Sequence, residues 1–207
     1  FMDEFEPPVS GGTSGSLTPS PWLFSASDVV AALVAHLDRA RSLEKPLLIV
    51  ATTLALVQLL HLLGNRQLDQ WPQVIVMPTG GAKGKAQELD PTELRTRVMQ
   101  VFGISAHQII GEYGMTELSS QLYETNPTRT ETAPIPGVYY AAPWLNVCPV
   151  DPETLHPVPV GEAGLARFID LANVDSAVCV VTQDLIRARA EGFELLGRQV
   201  GSPSRGC

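Results

Sequence analysis

The chain has 207 residues, 44% of them apolar, enough to build a hydrophobic core in one large domain or two small ones. Its 22 acidic residues outnumber 14 basic ones for a net charge of −8, which sets binding to a phosphate backbone aside as the main task. With 17 glycines and 17 prolines, the composition suits a turn-rich mixed α/β body rather than a helical bundle.

The chain opens FMDEFEPP, with no basic segment leading into a short apolar core, so no secretion signal is visible. A first residue Phe1 and a last residue Cys207 directly after SPSRG are compatible with a fragment of a longer protein. Cys148, Cys179 and Cys207 are odd in number, widely spaced and without a C-x-x-C pair. Neither a disulfide framework nor a zinc site is expected, and a reducing cytoplasm is the simplest setting.

The first element expected is a helix over SASDVVAALVAHLDRARSLEK, with Val29, Val30, Leu33, Val34 and Leu37 as its apolar stripe and Ser27 as its cap. The apolar run PLLIVATTLALVQLLHLLG follows. Thr52, Thr53, Gln58 and His61 interrupt it, so it divides better into a buried parallel strand, 47–51, and a helix, 53–63, ended by Gly64 and Asn65 than into a membrane span. QVIVMPTGG reads as a short buried strand running into a glycine turn. DPTELRTRVMQVFG reads as a helix with Asp90 as cap, Pro91 at its first position, Glu93 completing a capping box and Gly103 at its end. HQIIGEYG is then a third strand, giving the order α, β, α, β, α, β of a parallel sheet wrapped by helices. From about Asn126 the runs shorten and prolines break them, as in a β-rich unit, with DPETLHPVPVGEAG connecting two antiparallel strands. The expected division is an α/β nucleotide-binding region, 1–125, followed by a smaller β-rich subdomain, 126–207. Cys148 and Cys179 lie in apolar strands of the latter and are expected in its core.

Four segments carry chemistry. In SGGTSGS, residues 10–16, the glycines Gly12 and Gly15 let the backbone turn its N–H groups toward an anion, and Thr13 and Ser14 add hydroxyl donors. The same run also reads as a linker, and it lacks the G-K-[ST] ending of a P-loop. PTGGAKGK stands where a strand ends, the place at which open α/β sheets hold ligands. Gly80 and Gly81 would admit a flat base, and Lys83 would reach a phosphate or carboxylate, unless the segment is only a solvated turn. GEYGMTELSSQ offers an aromatic face in Tyr113, a tight bend at Gly114, a hydroxyl in Thr116 and a carboxylate in Glu117; alone, the last two would read as a helix cap. VVTQDLIRARAEGFELLGR holds Asp184 and Arg198.

In this order the third and fourth segments resemble the Tyr-Gly-x-Thr-Glu, Thr-Gly-Asp-Leu and Gly-Arg motifs of adenylate-forming enzymes. Within that superfamily TGGAKGK, GEYGMTELSSQLY and the ending LGRQVGSPSRGC are similar to stretches of the acyl-protein synthetases of bacterial luminescence, over about residues 10–207. The resemblance implies the N-terminal-domain fold of those enzymes and use of ATP and Mg²⁺. It implies that Tyr113 stacks on adenine, Thr116 meets the α-phosphate, Glu117 holds the metal, Asp184 holds the ribose hydroxyls and Arg198 sits at a hinge touching ribose or phosphate. It also implies that Cys207 accepts the acyl group from the adenylate before passing it to a protein partner such as a reductase or carrier. A carboxylic acid, fatty in the closest resemblance, would be the substrate. The phenylacetate type of acyl- or aryl-CoA ligase shares the adenylate motifs, and a truncated nucleotide-binding remnant without catalysis is the reading that is not an enzyme. Four departures stand out: Gln183 replaces the usual glycine, no Pro-Lys pair follows Ser16, the given sequence stops before a C-terminal lid would be expected, and little of it precedes Ser10.

Overall fold

The computed structural model describes residues 23, 28–68, 71–80, 90–126 and 134–199. Among them the chain begins with α1, Val29–Ser42, then β1, Leu47–Thr52, α2, Thr53–Leu63, β2, Val74–Thr79, and α3, Pro91–Phe102. The helix α1 is capped by Asp28, not by Ser27, because the Asp28 carboxylate reaches the Ala31 N–H at 2.9 Å. The helix α2 matches its expected bounds, with Thr52 capping it and Gly64, in a left-handed φ, closing it. It has 11 residues, and among the described residues no helix is long and apolar enough to cross a membrane. Pro91 opens α3 and Gly103 ends it in the left-handed conformation, but Asp90 makes no side-chain capping bond, so the expected capping box does not form.

The first sheet has the order β1-β2-β3-β4, with β1, β2 and β3 parallel and β4, Leu122–Tyr123, antiparallel to β3, Glu112–Tyr113. The third strand is shorter than HQIIGEYG implies. Ala106–Gln108 form a 3-10 turn instead, held by Gln108, whose side-chain amide donates to the Pro72 and Val74 carbonyls. Leu33, Ile49, Leu56, Leu60, Val74, Val98 and Phe102 join the three helices to one face of this sheet in a single core. The opposite face is bare at its edge: Leu48 and Val50 are 54% and 56% exposed, so β1 is a half-buried edge strand and not the buried strand expected from its apolar run.

The second sheet has the order β5-β9-β8-β7-β6 and is antiparallel throughout. Its strands are β5, Val138–Tyr139, β6, Leu145–Val150, β7, Ala163–Asp170, β8, Cys179–Ala188, and β9, Phe193–Arg198. The DPETLHPVPVGEAG segment joins β6 to β7, as expected. Its Gly164 is obligatory because an added Cβ would lie 2.6 Å from the Val150 carbonyl oxygen. Alternation places Leu145, Ala166, Phe168, Ile186 and Phe193 on the face that packs against Tyr113 and Leu122 of the first sheet. Cys148 is half-buried, but Cys179 is exposed at the start of β8, contrary to its expected core position.

Candidate active site

The parallel register aligns Thr52 with Thr79 and Thr79 with Glu112, so the segments after β1, β2 and β3 leave the sheet at one edge. That is the carboxyl edge at which open α/β sheets bind ligands. Gly80 turns there with φ +65°, a conformation that disfavours any side chain. The Thr53 hydroxyl donates to the Gly80 carbonyl and ties the start of α2 to this turn. Gly81 and Lys83 lie outside the described residues, as do Gly12, Thr13, Ser14, Gly15 and Cys207.

At the neighbouring strand end, Tyr113 is 8% exposed. Its ring packs against Tyr139, Phe168 and Phe193 at centroid distances of 5.6, 6.1 and 6.3 Å. The ring is thus a member of the core between the sheets, where little surface is left for a base to stack on. Its hydroxyl donates to Asp184 Oδ2 at 2.6 Å, across 71 residues of sequence. Burial first, then the hydrogen bond to Asp184 and the charge of that carboxylate, hold the phenol well above its ordinary range.

Two irregularities in the second sheet bring Asp184 and Arg198 to this face. Between β7 and β8 the register passes from Leu165–Leu185 to Arg167–Val181, so the Thr182–Asp184 stretch of β8 bulges, and the Thr182 hydroxyl accepts from the Asp184 N–H at 3.1 Å. Between β8 and β9 the register passes from Ile186–Leu195 to Leu185–Gly197, which leaves Leu196 as the extra residue. Strict alternation from Phe193 and Leu195 would aim Arg198 away from the core; the extra residue turns it back, opposite Asp184. Arg198 Nε lies 3.2 Å from Asp184 Oδ1. Gln183, where a glycine is usual, is not among the described non-glycine residues with positive φ, so the replacement brings no left-handed strain. Its carbonyl accepts from the Gln199 N–H at 2.8 Å.

Thr116 and Glu117 occupy the loop between β3 and β4 and are exposed, with the Thr116 hydroxyl 3.2 Å from Glu117 Oε2. A Cβ at Gly114 would lie 2.6 Å from Glu112 Oε1, so a side chain there requires that carboxylate to move aside. Burial raises the Glu112 carboxyl above its ordinary range. The structure therefore brings together Gly80, Tyr113, Gly114, Asp184 and Arg198 around the junction of the two sheets, with Thr116 and Glu117 on the adjoining loop.

Two buried carboxylates support these residues and were missed by sequence reasoning. Glu124, 3% exposed, accepts from the Gly111 N–H at 2.7 Å, the Gly137 N–H at 2.6 Å and the Arg95 guanidinium. Asp170, fully buried, accepts from the backbone of Ser119 and Ser120. The available signal was parity: Leu122 and Glu124, and likewise Ala166, Phe168 and Asp170, alternate onto the buried side of their strands.

Against known proteins, the chain is 28% identical over 127 residues to the long-chain-fatty-acid–luciferin-component ligase of Vibrio harveyi, covering 61% of this chain and 31% of that one. To the enzyme of the same name from Aliivibrio fischeri it is 24% identical over 156 residues, 73% of this chain and 39% of the relative. The chain thus spans between about a third and two fifths of the curated relatives it matches. Among solved structures, McyG A-PCP complexed with phenylalanyl-adenylate superposes with a TM-score of 0.57 at 13% identity, over 83% of this chain and 34% of that one, a likeness of fold. The parallel sheet with flanking helices and the separate antiparallel sheet are accordingly a fold shared with that structure. The family model of acyl-protein synthetase, LuxE, matches residues 25–207, and the chain belongs to that family.

Proposed function

We propose that this chain supplies the nucleotide-binding part of an enzyme that activates a carboxylic acid with ATP as an acyl-adenylate and passes the acyl group to a protein thiol. The observation that carries the proposal is the convergence of Tyr113, Asp184 and Arg198 from three strands of two sheets, beside the exposed Thr116–Glu117 pair. On this reading Asp184, held by the Tyr113 hydroxyl and Arg198, presents its carboxylate to the ribose hydroxyls. Tyr113 acts as the residue that fixes Asp184, since its ring is packed in the core. Gly80, with open space where a side chain would stand, leaves the end of β2 open to the base, Gly114 makes the bend after Tyr113, and the Thr116 hydroxyl donates to the α-phosphate.

Magnesium suits the site. Mg²⁺ is held by one or two carboxylates together with substrate phosphates rather than by a protein cage. Glu117 provides one exposed oxygen ligand, and no cluster of three or more acidic, histidine or cysteine residues stands among the described residues. When bound there the ion would neutralise phosphate charge. The ionised substrate carboxylate attacks the α-phosphorus, the bond to the β,γ-pyrophosphate breaks, and pyrophosphate leaves; no general base is needed. Cys207 as a thiolate then attacks the acyl carbonyl and AMP leaves, forming a thioester. The relatives' names point to a long-chain fatty acid as substrate and a protein of a luciferin-type system as partner. The division at residues 125 and 126 and a cytoplasmic setting belong to the same proposal.

The test is ATP–pyrophosphate exchange by the chain with medium- and long-chain fatty acids, followed by intact-mass spectrometry. Exchange that falls by at least about 100-fold in Asp184→Asn and Glu117→Ala, from the loss of hydrogen bonds and charge at the phosphates, supports the reading. An acyl mass on the chain that disappears in Cys207→Ser supports the protein acceptor. Exchange with acyl transfer only to coenzyme A would replace that acceptor, and ATP binding without exchange for any acid would overturn the activity.

A further inference from the structure

The loop that carries Thr116 and Glu117 has little structure of its own. The strands on either side, β3 and β4, have two residues each, and within the loop the Leu118 N–H donates to the Met115 carbonyl at 3.2 Å. Its shape is set from outside, by the C-terminal end of β7 in the other sheet. Asp170 Oδ2 accepts from two consecutive backbone N–H groups, Ser119 at 3.0 Å and Ser120 at 2.9 Å. Asp170 Oδ1 accepts from the Ser120 hydroxyl at 2.9 Å and from the Ala172 N–H at 3.0 Å. Three residues on, the Asn173 amide donates to the Glu117 carbonyl at 2.9 Å and to the Ala177 carbonyl at 3.1 Å, while its oxygen accepts from the Ser119 hydroxyl at 3.1 Å. Trp144 Nε1 donates to the Ser120 hydroxyl at 3.0 Å.

The backbone of Glu117, Ser119 and Ser120 is therefore pinned by Asp170 and Asn173, which are 0% and 8% exposed, whereas the side chains of Thr116 and Glu117 stay in solvent. A fully buried carboxylate is costly unless its oxygens are saturated with donors, and here four donors meet it. A carboxylate kept for packing alone would be replaceable by an apolar residue. This one is matched to the backbone of the loop that bears the exposed pair.

We propose that Asp170 and Asn173 are positioning residues for the reaction: they clamp the loop 114–121 to the second sheet and thereby set the aim of Glu117 and Thr116. The inference rests on the assignment of Glu117 to the metal–nucleotide. Loosening the clamp weakens engagement of Mg²⁺ and ATP and leaves the carboxylic acid untouched.

The test uses Asp170→Ala, which removes the acceptor of both N–H groups, and Asn173→Ala, which removes the hold on Glu117 if the first variant folds poorly. Amide hydrogen exchange reads the clamp directly. Protection at Ser119 and Ser120 is expected to fall at least about 10-fold in Asp170→Ala, with the β6–β7 ladder still protected. In ATP–pyrophosphate exchange, half-saturation by Mg²⁺ and ATP is expected to rise about 10-fold in either variant while that for the fatty acid stays unchanged. A variant that is merely unstable would lose rate with all three half-saturations unmoved, and that result overturns the positioning role. Unchanged amide protection at Ser119 and Ser120 overturns the clamp itself. A parent chain without exchange activity overturns the assignment of Glu117 and the positioning role with it, but protection of the two amides then still decides whether the clamp exists.

Discussion

At Tyr113 a single side chain joins the two sheets. Its ring lies among Tyr139, Phe168 and Phe193, and its hydroxyl reaches Asp184. Burial raises this phenol, and it raises Tyr139 as well, with the charge of Glu124 adding to the effect. In the unfolded chain both ionise near the ordinary value of about 10. Their contribution to stability is therefore complete below about pH 10 and declines above it, by roughly 1.4 kcal/mol per pH unit for each tyrosine. Urea unfolding followed from pH 9 to 11.5 should show that decline, and Tyr113→Phe should make its slope shallower. The same variant leaves Asp184 one donor short, so below pH 9 it is expected to lose about 1–2 kcal/mol. A slope unchanged by the substitution would show that Tyr113 ionises freely in the folded chain. The motif made Tyr113 legible as a site residue, but not its role: an aromatic residue before a glycine looks the same in sequence whether it faces a base or fills a core.

Among the elements, the hairpin β3–β4 depends on Glu124. Its carboxylate binds the backbone N–H of Gly111 before β3, the N–H of Gly137 before β5, and Arg95 of α3, so one buried ion pair ties a helix to both sheets. Removing one partner of such a pair strands the other, and Glu124→Ala is expected to cost about 3–5 kcal/mol, read as a shift in the urea midpoint. Gly111→Ala should be destabilising for the same reason, because its Cβ would lie 2.5 Å from a carboxyl group that three donors hold in place. About 1–3 kcal/mol is the cost of comparable overpacking, and a midpoint like the parent's would mean that Glu124 can move aside. The helices were legible from their periodicity and from the glycines Gly64 and Gly103 that close two of them, because those signals are local, whereas the expected caps at Ser27 and Asp90 did not form. The pairing of Arg95 with Glu124 was not, since 29 residues and a strand separate them.

For the whole molecule, the parallel sheet is covered by helices on one face, while on the other Leu48 stands beside Ile75 and Val50 beside Met77. Parallel sheets are ordinarily buried on both faces, and an apolar edge strand invites association. The chain is therefore expected to self-associate with rising concentration in sedimentation velocity. The double substitution Leu48→Lys and Val50→Lys should suppress this at a stability cost within about 0.5 kcal/mol, as for exposed positions generally. Concentration-independent sedimentation of the parent chain would rule the effect out. The sequence by itself determined the order of helices and strands, the placement of Gly80 and the Tyr113–Glu117 segment at strand ends, and membership of the motif set, because periodicity, capping and glycine turns act over a few residues. Only the tertiary structure decided that Tyr113 is packed and not open, that an extra residue at Leu196 turns Arg198 toward Asp184, and that Asp170 and Asn173 hold the loop of Glu117. Those outcomes depend on register and on contacts between strands far apart in the chain, where a shift of one residue exchanges the two faces of a strand.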